Sequence, residues 1–387
     1  MTYFTLYLLL CWSVITALTW RLFPGATVIV GGVALYTAAP LFVFLRRLKW
    51  NFYPGALFRV FVVRALLYTQ LMLPFVVIGA VLGALVGWPF GAALLVSRLL
   101  ALTVFVAAVA LLVTGYFGSR SLVTREVEAR IPSLPVEFDG LRIAQLSDLH
   151  VGPQSSRAFL ARVVRAVEAL KPDIIAVTGD LIDDRPEDVH VYADALGKLR
   201  APDGVFMIPG NHDVYAGWTD VQRELRRLVN GHVLVNDSHI LRRGEASLAI
   251  VGTGDPAGPQ RGVGDLVGPD ISRALSRVPA GTTVVALAHN PALWPALLQR
   301  NVALTLSGHT HWGQFAFPKR NWSLASRFLR HAMGAYKDAR SLLYISPGTG
   351  YWGIPFRIGA LPEITSITLR RSTADAAISM GPTQRAY

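Results

Sequence analysis

Val302-Ala303-Leu304-Thr305-Leu306 is an apolar run of strand type, and Ser307-Gly308-His309-Thr310-His311 follows it directly. A turn placed after a buried strand can gather both imidazoles onto one cluster. Four further polar runs come earlier, each at the end of its own apolar segment. Asp148-Leu149-His150 follows Ile143–Leu146, and Gly179-Asp180-Leu181-Ile182-Asp183 follows Ile174–Val177. Gly210-Asn211-His212-Asp213 follows Val205–Ile208, and His289-Asn290 follows Val284–Leu287. Polar residues just past the C-terminal ends of buried strands converge on one sheet edge, where α/β proteins keep their sites. Together the five runs offer the mixed oxygen and nitrogen donors that divalent transition metals take.

Strands alternate with helices around these runs, which predicts layered α/β packing. Residues 156–170, 187–199 and 218–229 read as helices. Residues 232–251 read as two or three strands, and late strands at 342–346 and 363–370 predict a second sheet. Asp139-Gly140, between two apolar runs, signals a hairpin.

The chain has 387 residues, 52% of them hydrophobic, too apolar for an ordinary soluble protein and long enough for two regions. Residues 1–117 contain no Asp or Glu and seven basic residues: Arg21, Arg46, Arg47, Lys49, Arg59, Arg64 and Arg98. Taking those seven from the chain's 37 leaves 30 basic against 25 acidic residues beyond, a mild surplus of five. The net charge of +12 is thus concentrated in the apolar region, and no nucleic-acid partner is expected. Cys11 is the single cysteine, so an internal disulfide and a cysteine-rich zinc site are excluded.

Four apolar stretches, about 3–20, 25–45, 60–86 and 92–117, each approach the roughly 20 residues that cross a hydrocarbon core, and predict four transmembrane helices. The first has no basic region before it, which argues against a cleaved signal peptide. The basic cluster Arg46, Arg47, Lys49 and Arg59 places that loop, and with four spans the region after Phe117, on the cytoplasmic side. The expected location is therefore multi-pass in the inner or plasma membrane. Arg64 and Arg98 lie in or near the spans and either serve a function or snorkel to headgroups. The domain plan that follows is a membrane domain at 1–117, a linker at 118–135, a catalytic domain at 136–371 and a tail at 372–387.

In order and unbroken, the five runs form D-x-H, G-D-x-x-D, G-N-H-[DE], a lone His and G-H-x-H. In them the chain resembles the calcineurin-like metallophosphoesterase superfamily. Ser346-Pro347-Gly348-Thr349-Gly350 and the stretch from Arg357 to Glu363 resemble its membrane-associated bacterial branch. The resemblance covers about 136–370 and not the spans. It implies a two-sheet α/β sandwich holding two divalent ions, with Mn, Fe, Zn and Co not distinguishable. Asp148, His150 and His311 would hold one ion, Asn211, His289 and His309 the other, and Asp180 would bridge them. Two such ions about 3.5–4 Å apart activate a shared water as the hydroxide that attacks phosphorus. His212 would contact the phosphate and protonate the leaving group. Asp213 either orients His212 or starts a helix, and Asp183 would support the cluster without binding an ion.

The expected activity is hydrolysis of a phosphodiester, phosphomonoester or pyrophosphate bond, with a lipid-linked substrate favoured because four spans exceed what a tether needs. The alternatives are a soluble-nucleotide phosphodiesterase with the spans as anchor or sensor, and a non-catalytic scaffold of the same fold. Residues 319–330 mix cations with large apolar side chains, as an interfacial helix does; they either face membrane lipid beside the site or form an ordinary surface helix. His190, His232, His239 and His331 match no motif and are assigned to surface or packing.

Overall fold

The computed structural model describes residues 2–22, a few positions between 24 and 61, and 64–386 apart from 153, 154, 184 and 339. It divides into two units, Met1–Thr114 and Gly115–Tyr387.

In the first unit, α1 is Thr2–Leu22, α2 is Ala65–Gly87, and α3 is Ala93–Gly118, whose last turn belongs to the second unit. Four spans were expected; among the described residues two stretches, Leu67–Phe90 and Ala93–Gly118, are long and apolar enough to cross a membrane. The first expected span is helical but qualifies only as the shorter Leu9–Leu22. The second, with the basic cluster at 46–59, falls largely outside the described residues. Gly79, Gly83 and Gly87 line one face of α2 at four-residue spacing. A Cβ on Gly83 would stand 2.6 Å from the Val96 carbonyl oxygen, so the absence of side chains lets the α2 and α3 backbones touch. Arg98 Nε donates to the carbonyl of Leu22 at 2.8 Å, a cation at the C-terminal end of α1.

The second unit is built on two mixed sheets. Its strands are β1 (Val123–Ile131), β2 (Arg142–Leu146), β3 (Ile174–Thr178), β4 (Val205–Ile208), β5 (His232–Val233), β6 (Asp237–Arg243), β7 (Ala246–Gly252), β8 (Thr283–Leu287) and β9 (Leu304–Ser307). Then come β10 (Ala316–Phe317), β11 (Trp322–Ser323), β12 (Gly334–Asp338), β13 (Ser341–Ile345), β14 (Glu363–Arg371) and β15 (Ala377–Arg385). One sheet has the order β15-β1-β14-β2-β3-β4-β5 and the other β12-β13-β9-β8-β7-β6, while β10 and β11 form a small separate ribbon. β2 to β5 run parallel, as do β7, β8, β9 and β13.

Because successive strand side chains point to opposite faces, each central strand feeds two cores. Ile143, Ile174, Ala176 and Phe206 meet Ile250, Val285, Leu304 and Tyr344 between the sheets. Ala144, Leu146, Ile175 and Val177 face outward under helices α4 (Arg157–Leu170), α5 (Asp188–Leu196) and α6 (Asn211–Leu228). α4 starts at Ser156, whose hydroxyl accepts from Phe159 N, and buries Leu160, Val163 and Val167. α6 buries Val214, Trp218, Val221 and Leu225 at the same helical spacing. Short helices cover Val251, Val284 and Ala286 on the far side. The architecture is a four-layer α/β sandwich, and the central strands of both sheets are covered on both faces.

Four expectations differ from the structure; the late strands do not make a sheet together, since β13 lies beside β9 and β14 between β1 and β2. Residues 118–135 contain β1, which pairs parallel with β14 and antiparallel with β15 and is therefore part of the sheet. Its alternating charges resemble a linker because one of its faces is partly solvated. The tail carries β15 as the sheet's edge. The hairpin at Asp139-Gly140 does not form: Val136–Phe138 is a single 3-10 turn, and β2 pairs with β3 and β14.

β1 is fixed by a buried charge. Arg125 Nε donates to Glu363 Oε2 at 2.7 Å, and Tyr344 donates its hydroxyl to Glu363 Oε1 at 2.6 Å. Arg125→Ala would leave the Glu363 carboxylate buried without its cation, a loss of about 3–5 kcal/mol. A fall in the thermal midpoint of the second unit, much larger than for Arg130→Ala at the exposed end of the same strand, is the expected result.

Candidate metal centre

All five motif runs leave the ends of β2, β3, β4, β8 and β9, and the two sheets bring those ends together. The turns are sharp. Asp148, His150, Asp180, His309 and His311 all have φ between 44° and 69°, the left-handed region that side chains other than glycine, Asn, Asp and His rarely enter. Two motif glycines are explained by what lies beside them. A Cβ on Gly210 would stand 2.2 Å from Asp180 Oδ1, and one on Gly308 would stand 2.2 Å from Asp148 Oδ2. Neither loop could carry a side chain there without displacing a carboxylate.

The donors fall into two groups that share one residue. Asp148, His150 and His311 converge: His150 Nε2 and His311 Nε2 are 3.1 Å apart, and His311 Nε2 is 3.4 Å from Asp148 Oδ1. In the second group Asn211 Oδ1 lies 2.8 Å from His309 Nδ1 and 3.2 Å from His289 Nε2. Asp180 Oδ2 stands 3.6 Å from His150 Nε2 and 3.3 Å from His289 Nε2, facing both. Ligand atoms held at about 2.1 Å from one ion lie about 3.0–3.4 Å from each other, so these spacings fit the edges of a coordination shell.

Hydrogen bonding fits as well. His289 Nδ1–H donates to the Thr178 carbonyl at 2.8 Å, which leaves the Nε2 lone pair aimed at the cluster. Ser147 Oγ–H donates to Asp148 Oδ2, and His309 N–H donates to both Asp148 oxygens. At His311 the arrangement has a consequence. Arg357 Nη2 lies 2.9 Å from His311 Nδ1, which can only accept from a guanidinium. An ion at Nε2 would need the ring proton on Nδ1, which turns Nδ1 from acceptor to donor, so ion binding here would displace the Arg357 contact.

Charge in the cluster is strongly perturbed. Burial alone would raise Asp180, but His289 and His150 hold it well below the carboxylate range. Burial raises Asp148. Burial would lower His289, yet the carboxylate of Asp180 raises it well above its ordinary value. Burial and the neighbouring His289 push His309 down to about 4, and burial with Arg357 holds His311 well below its ordinary value.

His212 lies at the rim. Its Nδ1–H donates to the Asp183 carbonyl at 3.1 Å, its own N–H donates to Asp180 Oδ1 at 2.8 Å, and its ring stands edge-on to His150 at 4.7 Å. The carboxylate of Asp213, fully buried, accepts from the backbone N–H groups of Gly210, Leu181 and Ile182, which starts α6 and ties it to the Asp180 loop. Burial and Asp180 push it up to about 7. Asp183 Oδ1 is 3.7 Å from His150 Nδ1, too far for a hydrogen bond. His190, His232, His239 and His331 stay outside: His232 and His239 pack on Phe206, His331 packs on Trp294, and His190 lies near Glu224.

One residue of the site was given no role from the sequence. Arg357 is fully buried, and burial pushes it down to about 10. Besides His311 it donates to the carbonyls of Pro347, Gly350 and Ala360, folding Ser346–Gly350 over the Asp148 loop. The resemblance over Ser346–Gly350 and over Arg357 to Glu363 was its only signal.

The profile of the calcineurin-like phosphoesterase family matches residues 141–313, which contain all seven donors and His212. Over 260 residues the chain is 30% identical to Bacillus subtilis "Uncharacterized metallophosphoesterase YkuE", an alignment covering 66% of this chain and 88% of that protein. The chain belongs to the calcineurin-like metallophosphoesterase family. This metallophosphoesterase is also 35% identical over 257 residues to the Danio rerio "Transmembrane protein with metallophosphoesterase domain", across 64% of its own length and 57% of that protein. With Campylobacter jejuni Cj0846 it shares 32% over 246 residues, across 64% of itself and 63% of the relative. The chain thus spans about three fifths of these two relatives.

As the site of a metallophosphoesterase, the His/Asp cluster can hold metal ions. An ion that binds the folded chain alone stabilises it by about 2.7 kcal/mol when present at a hundredfold excess over its Kd. Calorimetry of chelator-treated protein titrated with Mn²⁺ should therefore show a rising melting temperature, and a smaller rise in a His289→Ala variant.

Proposed function

We propose that the chain is a membrane-associated phosphoester hydrolase that works with two divalent ions on a lipid-linked phosphoester or pyrophosphate. The observation that carries the two-ion reading is the Asp180 carboxylate, one oxygen of which faces a histidine from each donor group. Asp148, His150 and His311 would hold one ion, Asn211, His289 and His309 the second, and Asp180 both. When bound, such ions lower the pKa of a water and offset charge on the phosphoryl oxygens. Two carboxylates against two divalent cations leave the centre net positive, which favours an anionic phosphate.

The chain's own groups handle orientation and the proton. The Asp183 carbonyl holds His212 Nδ1–H, so Nε2 is the nitrogen that turns toward substrate. As water oxygen bonds to phosphorus and the bond to the leaving oxygen breaks, protonated His212 gives its Nε2 proton to that oxygen. The backbone N–H of His212 on Asp180 fixes this acid relative to the shared carboxylate. Asp213 acts at one remove, by bracing the two loops.

The lipid-linked substrate is supported by the two long apolar helices and by the relatives named as transmembrane proteins. The same features support a multi-pass protein, and the basic cluster Arg46, Arg47, Lys49 and Arg59 supports a catalytic unit facing the cytoplasm. The test is hydrolysis by detergent-purified full chain, with each of Mn, Fe, Zn and Co, of bis-aryl phosphate, nucleotides, and lipid phosphates and pyrophosphates. The highest kcat/KM should fall on a lipid substrate. A nucleotide turned over faster would transfer the assignment to a soluble substrate, and no hydrolysis with any metal would remove it.

A further inference from the structure

Residues 319–330, expected as an interfacial or an ordinary surface helix, form no such helix. With residues 315–318 they form the β10–β11 ribbon flanked by 3-10 turns at Pro318–Arg320 and Leu324–Arg327. The fold turns large apolar side chains outward: Phe317 is 47% exposed, Leu324 46%, Leu329 41% and Phe328 81%. Phe317 lies against Trp322, with ring centroids 5.7 Å apart, so the apolar surface is continuous along the ribbon. Lys319, Arg320, Arg327 and Arg330 are exposed among them. No acidic residue occurs between Asp270 and Asp338, and among the described residues none of these four cations has a carboxylate within 4 Å.

This platform is fastened to the site and to the end of an apolar helix. Gly313, two residues after His311, is packed so closely on the platform that a Cβ there would stand 2.6 Å from Ala325 N. Leu324 N–H donates to the Phe315 carbonyl, and Thr310 Oγ–H donates to the Ala332 carbonyl. Gln314 exchanges two hydrogen bonds with the backbone of Trp352, whose exposed ring stands 6.2 Å from His212. On the other side Ala316 N–H donates to the Ile358 carbonyl, and Arg357 N–H donates to Gly115 in the last turn of α3. Both contacts lie within the catalytic unit.

We propose that Phe317, Leu324, Phe328 and Leu329, with Lys319, Arg320, Arg327 and Arg330, dock onto an anionic lipid surface and present the site to headgroup phosphates. Cations interleaved with exposed apolar side chains are what the headgroup layer of an anionic bilayer accepts, the apolar groups entering the acyl boundary and the charges meeting phosphate. The platform is joined through Ile358 and Arg357 to Gly115, at the end of a helix long enough to cross a bilayer, which fits a lipid occupant. The proposal rests on the membrane-associated reading above.

The test uses the full chain in lipid nanodiscs, with Cys11→Ala as background and an environment-sensitive fluorophore on Phe328→Cys or, separately, Arg277→Cys. Arg277 precedes β8 and so lies at the sheet edge opposite the site. The probe at 328 should shift to shorter wavelength and be quenched by nitroxide lipid, while the probe at 277 is quenched by aqueous iodide only. Phosphatidylglycerol should deepen lipid quenching at 328 relative to phosphatidylcholine discs, and K319E/R320E/R327E/R330E should abolish that gain. A probe at 328 open to iodide and untouched by nitroxide lipid would overturn the proposal. One shielded from both would also overturn it, in favour of a protein partner. Hydrolysis is measured in the same discs: lipid contact without turnover of any phosphoester would sink the functional reading alone, and turnover without contact the platform alone.

Discussion

Asp180→Asn should lower kcat at least about a thousandfold, equivalent to about 4 kcal/mol of lost transition-state stabilisation. The substitution keeps shape and removes charge. Asp180 Oδ2 is the atom that faces histidines of both donor groups, so the loss is felt in both. The amide can still accept the His212 N–H bond that Oδ1 now receives, which keeps α6 in place. Elemental analysis should find the bound divalent ion reduced from the proposed two per chain to one or none, with circular dichroism unchanged. A variant that retained two ions and wild-type turnover would refute the assignment of Asp180 as the shared ligand.

His212→Ala should separate from this in a way that a damaged metal centre cannot imitate. Its ring is held by a backbone carbonyl and by contact with neighbouring rings, and it belongs to neither donor group proposed for the ions. Metal content should therefore stay at the wild-type level. General acid catalysis contributes about 10²–10⁴-fold, and most where the leaving oxygen is basic. For an alkyl or lipid phosphoester kcat should fall through that range, whereas a nitrophenyl ester, whose leaving group needs no proton, should lose much less. Equal losses on both substrates would argue that His212 acts through position or phosphate contact instead.

The sequence carried the site further than it carried the frame. The donors were legible because each follows a short, fully buried strand, and such strands leave little doubt about where they end. Glycines 210 and 308 added to this, since packing against a carboxylate forbids any side chain there. β1 was not legible. Its charges alternate along a strand buried on one face, and Arg125 reads as solvated until Glu363, 238 residues later, is seen beneath it. β15 has little buried surface to announce it. Residues 319–330 have helix-like composition but lie on a ribbon whose turns are set by contacts with Gly313 and Phe315, which no local pattern contains. The role of Arg357 was not legible for the same reason: apart from His311 its partners are carbonyls, and carbonyls leave no mark in a sequence.

The twisted backbone at Asp148, His150, Asp180, His309 and His311 sets selection for robustness against selection for turnover. Each side chain kept in that conformation costs about 1–2 kcal/mol that glycine would recover. A screen that rewards only survival on heating, run without metal, should therefore accumulate glycine or asparagine at these five positions and return hardy proteins that no longer cut anything. Library design for this scaffold should hold those codons fixed and look for resilience in the helices instead.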